Sequence, residues 1–223
     1  MNKYAFEFAG QNLVSLVSGC LYWPDEKVMV VSDLHLEKGS DFLKVGRFVP
    51  PYDSCETLTR LRHDLDNNEV ETLILLGDTV HDPQGFARLD RNCIDMFEEI
   101  CKRYRVIWII GNHEKGFVPE GVEAHIEFPS KTLIFRHEAL SVAQLGEVSG
   151  HYHPCITLRH KGKSVRRRCF IEDGKRLILP AFGSYTGSLD IEDSAIAQFF
   201  PDGYNAHALG QNIMRIVENQ DVA

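Results

Sequence analysis

Aspartate, histidine and asparagine recur in five short clusters along the chain: Asp33-Leu34-His35, Gly77-Asp78, Gly111-Asn112-His113-Glu114, a lone His137, and Gly150-His151-Tyr152-His153. Together they offer seven donor residues, Asp33, His35, Asp78, Asn112, His137, His151 and His153, with His113 left over. Carboxylate, imidazole and amide oxygen, with no thiolate among them, suit Mn²⁺, Fe²⁺, Ni²⁺ or Zn²⁺ rather than a soft metal. Seven donors can hold two such ions, and a carboxylate shared between the ions sets them roughly 3.5–4 Å apart, close enough to activate one water against a phosphoryl centre. A spare histidine beside that pair could hand a proton to the departing oxygen. The chemistry to which these residue types point is metal-assisted hydrolysis of a phosphate ester.

Taken singly, each residue has a plainer reading. A histidine beside a strand, such as His137, is more often a satisfied core or surface residue than a ligand. Asp33 or Asp78 alone could cap a helix that follows a strand, and Gly150 to His153 could be a strand with two histidines on one face. The ordered set weighs against these readings, because independent accidents would all have to fall in one order and after the right apolar runs.

Those runs are the elements that must position the clusters. Val28 to Val31 precedes Asp33, Leu73 to Leu76 precedes Asp78, and Val106 to Ile110 precedes Asn112. Continuous apolar runs separated by helix-length intervals read as parallel strands buried on both faces, and sites in such folds gather beyond the carboxyl ends of the strands. Residues 4 to 23 read as extended segments broken at Gly10 and Gly19. Asp53 with Glu56 resembles a capping box opening a helix over roughly 53–67, on the period of Leu58, Leu61 and Leu65. A second helix carries Cys93, Phe97, Ile100 and Tyr104 on one face, and short strands are expected near 131–136, 147–150, 165–171 and 176–180. Lys38 to Pro51, with Gly39, Gly46 and Pro50, reads as a loop at the rim of the site bearing Lys38, Lys44 and Arg47.

With 223 residues, 43% of them hydrophobic, the chain can bury a sizeable core, and no linker divides it, so one domain over 1–223 is expected. No apolar run approaches the roughly 20 residues that span a bilayer, and the N-terminal segment lacks a secretory core, so a cytoplasmic protein without membrane contact is expected. Six scattered cysteines with no Cys-x-x-Cys pair read as reduced, structural thiols. The net charge of −8 argues against indiscriminate nucleic-acid binding. Yet six Lys or Arg residues fall between Arg159 and Arg168, ending in Arg166, Arg167 and Arg168. That stripe is either a phosphate-binding surface or a solvated hairpin turning at Gly162.

The clusters resemble the calcineurin-like metallophosphoesterases, whose pattern Asp-x-His, Gly-Asp, Gly-Asn-His-Glu/Asp, His, Gly-His-x-His runs in full order over residues 33–153. The resemblance implies an α/β fold, a four-layer αββα sandwich with mixed sheets. It assigns Asp33, His35 and His153 to one metal, Asn112, His137 and His151 to the other, Asp78 as the bridge and His113 as the catalytic histidine, with Mn²⁺ as the leading cofactor and Zn²⁺, Fe²⁺ or Ni²⁺ as alternatives. A narrower likeness lies in Leu21 to Pro24, Asp33 to Gly39, Pro50 to Asp53 and Leu179 to Gly187, which are similar to the bacterial ligase-associated DNA damage response phosphoesterases. That likeness implies an endonuclease or phosphodiesterase acting on DNA in repair or end processing, with DNA as substrate and DNA ligase and helicase as pathway partners. A homo-oligomer is compatible with it. Cys55 departs from the pattern, standing where an arginine or similar residue is expected. The alternatives are a phosphatase or phosphodiesterase for small nucleotides or phosphoproteins, and a non-catalytic scaffold, which the complete ligand set opposes.

Overall fold

A computed structural model of the protein describes residues 2–44, 46, 50, 52–114, 117–210 and 214–218. Its first sheet runs in chain order: β1 (Lys3–Phe8), β2 (Gln11–Leu16), β3 (Leu21–Trp23), β4 (Val28–Val31), β5 (Thr72–Leu76), β6 (Arg105–Ile109) and β7 (Glu123–His125). The pairings are antiparallel up to β4 and parallel from β4 to β7. Tight turns suffice for the hairpins, whereas each parallel step needs a crossover. Helices α1 (Lys38–Lys44) and α2 (Asp53–Asp66) lie on the first crossover, and α3 (Gly85–Arg88) and α4 (Arg91–Arg103) on the second.

The second sheet comprises β8 (Glu127–Ser130), β9 (Leu133–Arg136), β10 (Glu147–Ser149), β11 (Pro154–His160), β12 (Lys163–Glu172), β13 (Arg176–Ile178), β14 (Leu189–Asp190), β15 (Asn205–Leu209) and β16 (Met214–Glu218). Its spatial order is β14-β11-β12-β13-β10-β9-β8, with β15 on β12 and β16 on β15.

The two-residue period of a strand explains why β4, β5 and β6 are apolar throughout. Val28, Val30, Ile74, Leu76, Ile107 and Ile109 face the second sheet and pack on Leu133, Phe135, Val148, Phe170 and Leu177. Met29, Val31, Leu73, Leu75, Val106 and Trp108 face the other way, onto Leu58, Leu61 and Leu65 of α2 and Cys93, Phe97 and Ile100 of α4. The far face of the second sheet is covered by the one-turn helix α5 (Ser194–Ala197) with Phe199 and Phe200. This is the expected αββα layering, with its fourth layer reduced among the described residues to that single turn.

Three expectations need correction. The segment from Lys38 begins as a helix, because α2 caps it from outside: Ser54 Oγ accepts from Glu37 N at 2.8 Å and Asp53 Oδ2 from Gly39 N at 2.9 Å. A Cβ on Gly39 would lie 2.6 Å from Asp53 Oδ1, so the close approach needs glycine. Arg47 lies outside the described residues. The same contacts explain why no capping box forms: the α2 N-cap position is Tyr52, without a side-chain cap, and Asp53 is committed to Gly39. The cysteines are not all reduced. Side-by-side packing of α2 and α4 brings Cys55 and Cys93 to a Cα separation of 5.4 Å, and they form a disulfide; Cys20, Cys101, Cys155 and Cys169 are free. Among the described residues no helix is long and apolar enough to cross a membrane.

Candidate active site

Each cluster sits just past the carboxyl end of a strand: Asp33 and His35 after β4, Asp78 after β5, Asn112 and His113 after β6, His137 after β9, and His151 and His153 after β10. The strands deliver the chain to one edge, and sharp turns there redirect the side chains. Asp33, His35, Asp78, His151 and His153 all have positive φ, between 44° and 71°. Such backbone is costly for residues with a Cβ and persists only where surrounding contacts over-determine it. Glycine makes the crowding feasible. Gly77 has φ +84°, and a Cβ there would overlap the His137 ring; one on Gly150 would overlap Ser32 Oγ and lie 2.6 Å from Asp33 Oδ2.

The side chains form two adjoining groups. Asp33 Oδ1 lies 3.2 Å from His153 Nε2 and 3.9 Å from His35 Nε2, and these two nitrogens are 3.3 Å apart. His137 Nε2 lies 3.1 Å from His151 Nδ1, which Asn112 Nδ2 approaches at 3.4 Å. Asp78 Oδ2 stands between the groups, 3.9 Å from His35 Nε2 and 3.4 Å from His137 Nε2. Asp33, His35 and His153 could hold one ion, and Asp78, His137 and His151 a second.

Backbone carbonyls set the ring orientations. His137 Nδ1 pairs with Leu76 O at 3.0 Å and His153 Nδ1 with Gly187 O at 3.2 Å. A carbonyl only accepts, so each Nδ1 carries a proton and each Nε2 is the nitrogen left facing inward, a donor to a cation once the ring is neutral. Asp33 Oδ1, buried and without a hydrogen bond, faces the same point. Converging lone pairs and an orphaned carboxylate oxygen fit a cation, so the donor set suits the divalent ions expected from the residue types.

The electrostatics differ between the two groups. Burial pushes the His35 pKa down to about 3, keeping the ring neutral. Burial also works against a proton on His137, but the Asp78 and Asp33 carboxylates outweigh it and raise that pKa to about 9. Burial raises the Asp78 pKa, but His137 and the His113 backbone N–H more than compensate and leave it below the ordinary carboxylate value. A cation entering beside His137 must therefore displace a proton.

His113 is exposed at the mouth of this cluster. Its Nδ1 meets His81 O at 2.8 Å, its Nε2 lies 3.7 Å from Asp78 Oδ2, and its backbone N donates to Asp78 Oδ1 at 3.0 Å. Glu114 is buried and accepts from the backbone N–H groups of Thr79, Val80 and Gly111, tying the exits of β5 and β6 together. Of the loop pair after Asp78, His81 stacks on His113 at 5.2 Å and contacts Asp41 Oδ2 at 3.2 Å, whereas Asp82 closes its own turn and pairs with Arg88. Lys38 is half-buried within the fields of Asp33 and Asp78, and burial lowers its pKa.

The arginine stripe is divided by the strand period. β11 and β12 form an antiparallel hairpin turning at Gly162, with Cys155 opposite Arg168 and His160 opposite Lys163. Arg166 and Arg168 share one face; Arg167 and Lys163 occupy the other. Arg166 donates to Cys155 Sγ and Ser188 O, each at 2.7 Å, and Arg168 donates to Ala181 O at 2.7 Å, whereas among the described residues Arg167 donates a hydrogen bond to Arg166 O alone. Sequence reasoning missed Ser32, whose hydroxyl donates to Asp33 Oδ2, as well as Asp41 and Arg60. No local pattern marks them: Ser32 acts on its own neighbour without a motif, and the partners of Asp41 and Arg60, His81 and Phe182 O, come from other segments.

A crystal structure of Pseudomonas putida nuclease MPE aligns with 97% of this chain and 100% of its own at 25% identity and a TM-score of 0.75. A predicted phosphoesterase from Streptococcus pneumoniae aligns over 86% of this chain and 97% of its own at 14% identity and a TM-score of 0.34. A search of curated proteins found no match. The profile of the Calcineurin-like phosphoesterase family matches residues 26–217, nearly the whole chain and every ligand cluster, and the protein therefore belongs to that family.

Proposed function

We propose that the protein hydrolyses phosphodiester bonds in DNA with two divalent ions, Mn²⁺ foremost. The observation that carries this reading is the placement of Asp78 Oδ2 between two groups of inward-facing donors. Asp33, His35 and His153 would hold one ion, Asn112, His137 and His151 the other, and Asp78 both. When bound, the ions supply Lewis acidity toward phosphoryl oxygens and a water of lowered pKa. The protein residues orient and protonate. His113 keeps one proton on Nδ1 for His81 O, so only its imidazolium form can donate from Nε2 to the departing sugar oxygen. Lys38 adds positive charge for a phosphate oxygen.

DNA as substrate is supported by the likeness to a protein named as a nuclease. The β11–β12 hairpin leaves the site directly after His153 and extends about 20 Å to its tip, at roughly 3.3 Å per residue. Lys161 and Lys163 at the tip and Arg167 along the arm would track a backbone, while Arg168 is occupied by carbonyls and Arg166 by Cys155 Sγ and Ser188 O. On this reading the reaction belongs to DNA repair or end processing, with DNA ligase and helicase as partners of the same pathway.

The test is a panel of single-stranded DNA, duplex ends, a bis-ester and a monoester, with Mn²⁺, Zn²⁺, Fe²⁺ and Ni²⁺ in turn. Cleavage of DNA and bis-ester that needs metal and stops with chelator is expected; activity on monoesters alone would overturn it in favour of a phosphatase. Replacing Lys161, Lys163 and Arg167 by alanine should flatten the log-log salt dependence of DNA turnover by about 2, for three single-strand phosphate contacts, and spare bis-ester hydrolysis.

A further inference from the structure

The left-handed turn at Asp33 is held largely from a segment far away in sequence. Asp33 N donates to Gly77 O at 3.2 Å, but the two carbonyls that flank the turn are claimed by the loop after β13: Phe182 N donates to Ser32 O at 2.8 Å and Gly183 N to Asp33 O at 3.1 Å. The same loop supplies Gly187 O, which orients His153. Two of the candidate ligands of one ion thus depend on where residues 181–187 sit.

That loop is gripped by two arginines from different elements. Arg168 on β12 directs Nη1 at Ala181 O, 2.7 Å away, and within 3.4 Å of both Phe182 O and Gly183 O. Arg60 on α2 donates to Phe182 O and lays its guanidinium 4.7 Å from the centre of the buried Phe182 ring. Both guanidiniums are largely withdrawn from water, and burial together with the neighbouring Arg60 charge lowers the Arg168 pKa to about 10. Neither cation has a salt bridge among the described residues. Two arginines held side by side against their mutual repulsion, with carbonyl oxygens as their partners, are arranged to fix those carbonyls in place; a planar fork can hold several acceptors where an ammonium holds them less rigidly.

We propose that Arg60 and Arg168 are positioning residues for the metal centre: they clamp the carbonyls of Ala181 to Gly183 so that the amides of Phe182 and Gly183 hold Asp33 in its ligating conformation. The inference rests on the proposed function only in taking Asp33 as a ligand. It gives Arg168 a role other than the DNA contact suggested by the charge stripe.

The experiment measures Mn²⁺ affinity directly, by calorimetric titration of the folded proteins without substrate. Arg60→Met and Arg168→Met should each weaken the ion bound by Asp33 by about 10–100-fold, the range seen when an outer partner of a ligand is removed, and excess Mn²⁺ should restore bis-ester turnover. Arg60→Lys and Arg168→Lys, which keep charge and bulk, should weaken it by a smaller factor and cover the case in which the methionine variants fail to fold. Leu65→Ala, a core change in α2 that removes none of the hydrogen bonds of Arg60 or Arg168, should lower Tm while leaving Mn²⁺ affinity unchanged. Wild-type affinity in the folded arginine variants would overturn the proposal, as would an equal loss in Leu65→Ala. Absence of Mn²⁺ uptake by the wild-type protein would overturn the metal-dependent reading as well, so the two failures are distinguishable.

Discussion

On the proposed function, replacing His113 by alanine should separate proton donation from metal binding, because the contacts of His113 with Asp78 are divided between side chain and backbone. The bond that steadies Asp78 comes from the His113 backbone N at 3.0 Å, and alanine retains it. The imidazole is not among the inward-facing donors, so both ions should stay bound. What is lost is a proton donor oriented by His81 O at 2.8 Å and kept near the Asp78 carboxylate at 3.7 Å. A positioned general acid contributes roughly 10²–10⁴-fold, or about 3–5 kcal/mol of barrier. That full loss is expected for DNA, whose leaving oxygen is a poorly stabilised alkoxide. A nitrophenyl bis-ester releases a stable anion and should lose far less. Steady-state turnover of both substrates, with metal content determined on the same preparation, gives the answer. Equal losses on the two substrates, or departure of metal from the variant, would refute the assignment.

Asp78→Asn should abolish turnover and lower metal content, since the oxygen between the groups would lose its charge; two tightly held ions with normal activity would exclude it as the bridge. Gly77→Ala forces a Cβ into the His137 ring at φ +84° and should cost several-fold or more in metal affinity, visible by calorimetry against Gly10→Ala, where nothing lies within 4 Å. His207 is buried between Tyr4 and Phe6 with Ser15 Oγ 2.9 Å from its Nδ1, and burial lowers its pKa from 6.5 to about 4. The folded state then binds fewer protons than the unfolded chain, so this contribution is complete above pH 6.5 and is lost as pH falls toward 4, up to about 3 kcal/mol. Urea unfolding of His207→Phe should fall less steeply across that window than wild type, and parallel curves would sink the argument.

The donor residues and their location at strand ends were legible from the chain alone. Each depends on a local pattern: an apolar run long enough to be a buried strand, then a polar residue where burial stops. Helix α4 was legible for the same reason, its apolar period lying within one segment, and Asp90 caps it at Asn92 N and Cys93 N. Features made by distant partners were not. Asp33 Oδ2 is held by His151 N across 118 positions, α1 is capped by Asp53 and Ser54, the Cys55–Cys93 disulfide waits on α2 meeting α4, and Arg168 turns to a loop that only the second sheet brings within reach. A run of arginines states how much charge a segment carries, but the pleat decides which face each one occupies and the packing decides what it meets. The identity of the candidate ligands is thus read from the sequence, and the structure brings them together. Their left-handed turns, the tautomers of their rings and the clamp behind Asp33 arise only when chain ends of separate strands are pressed together, because those conformations are held by contacts that no local stretch contains.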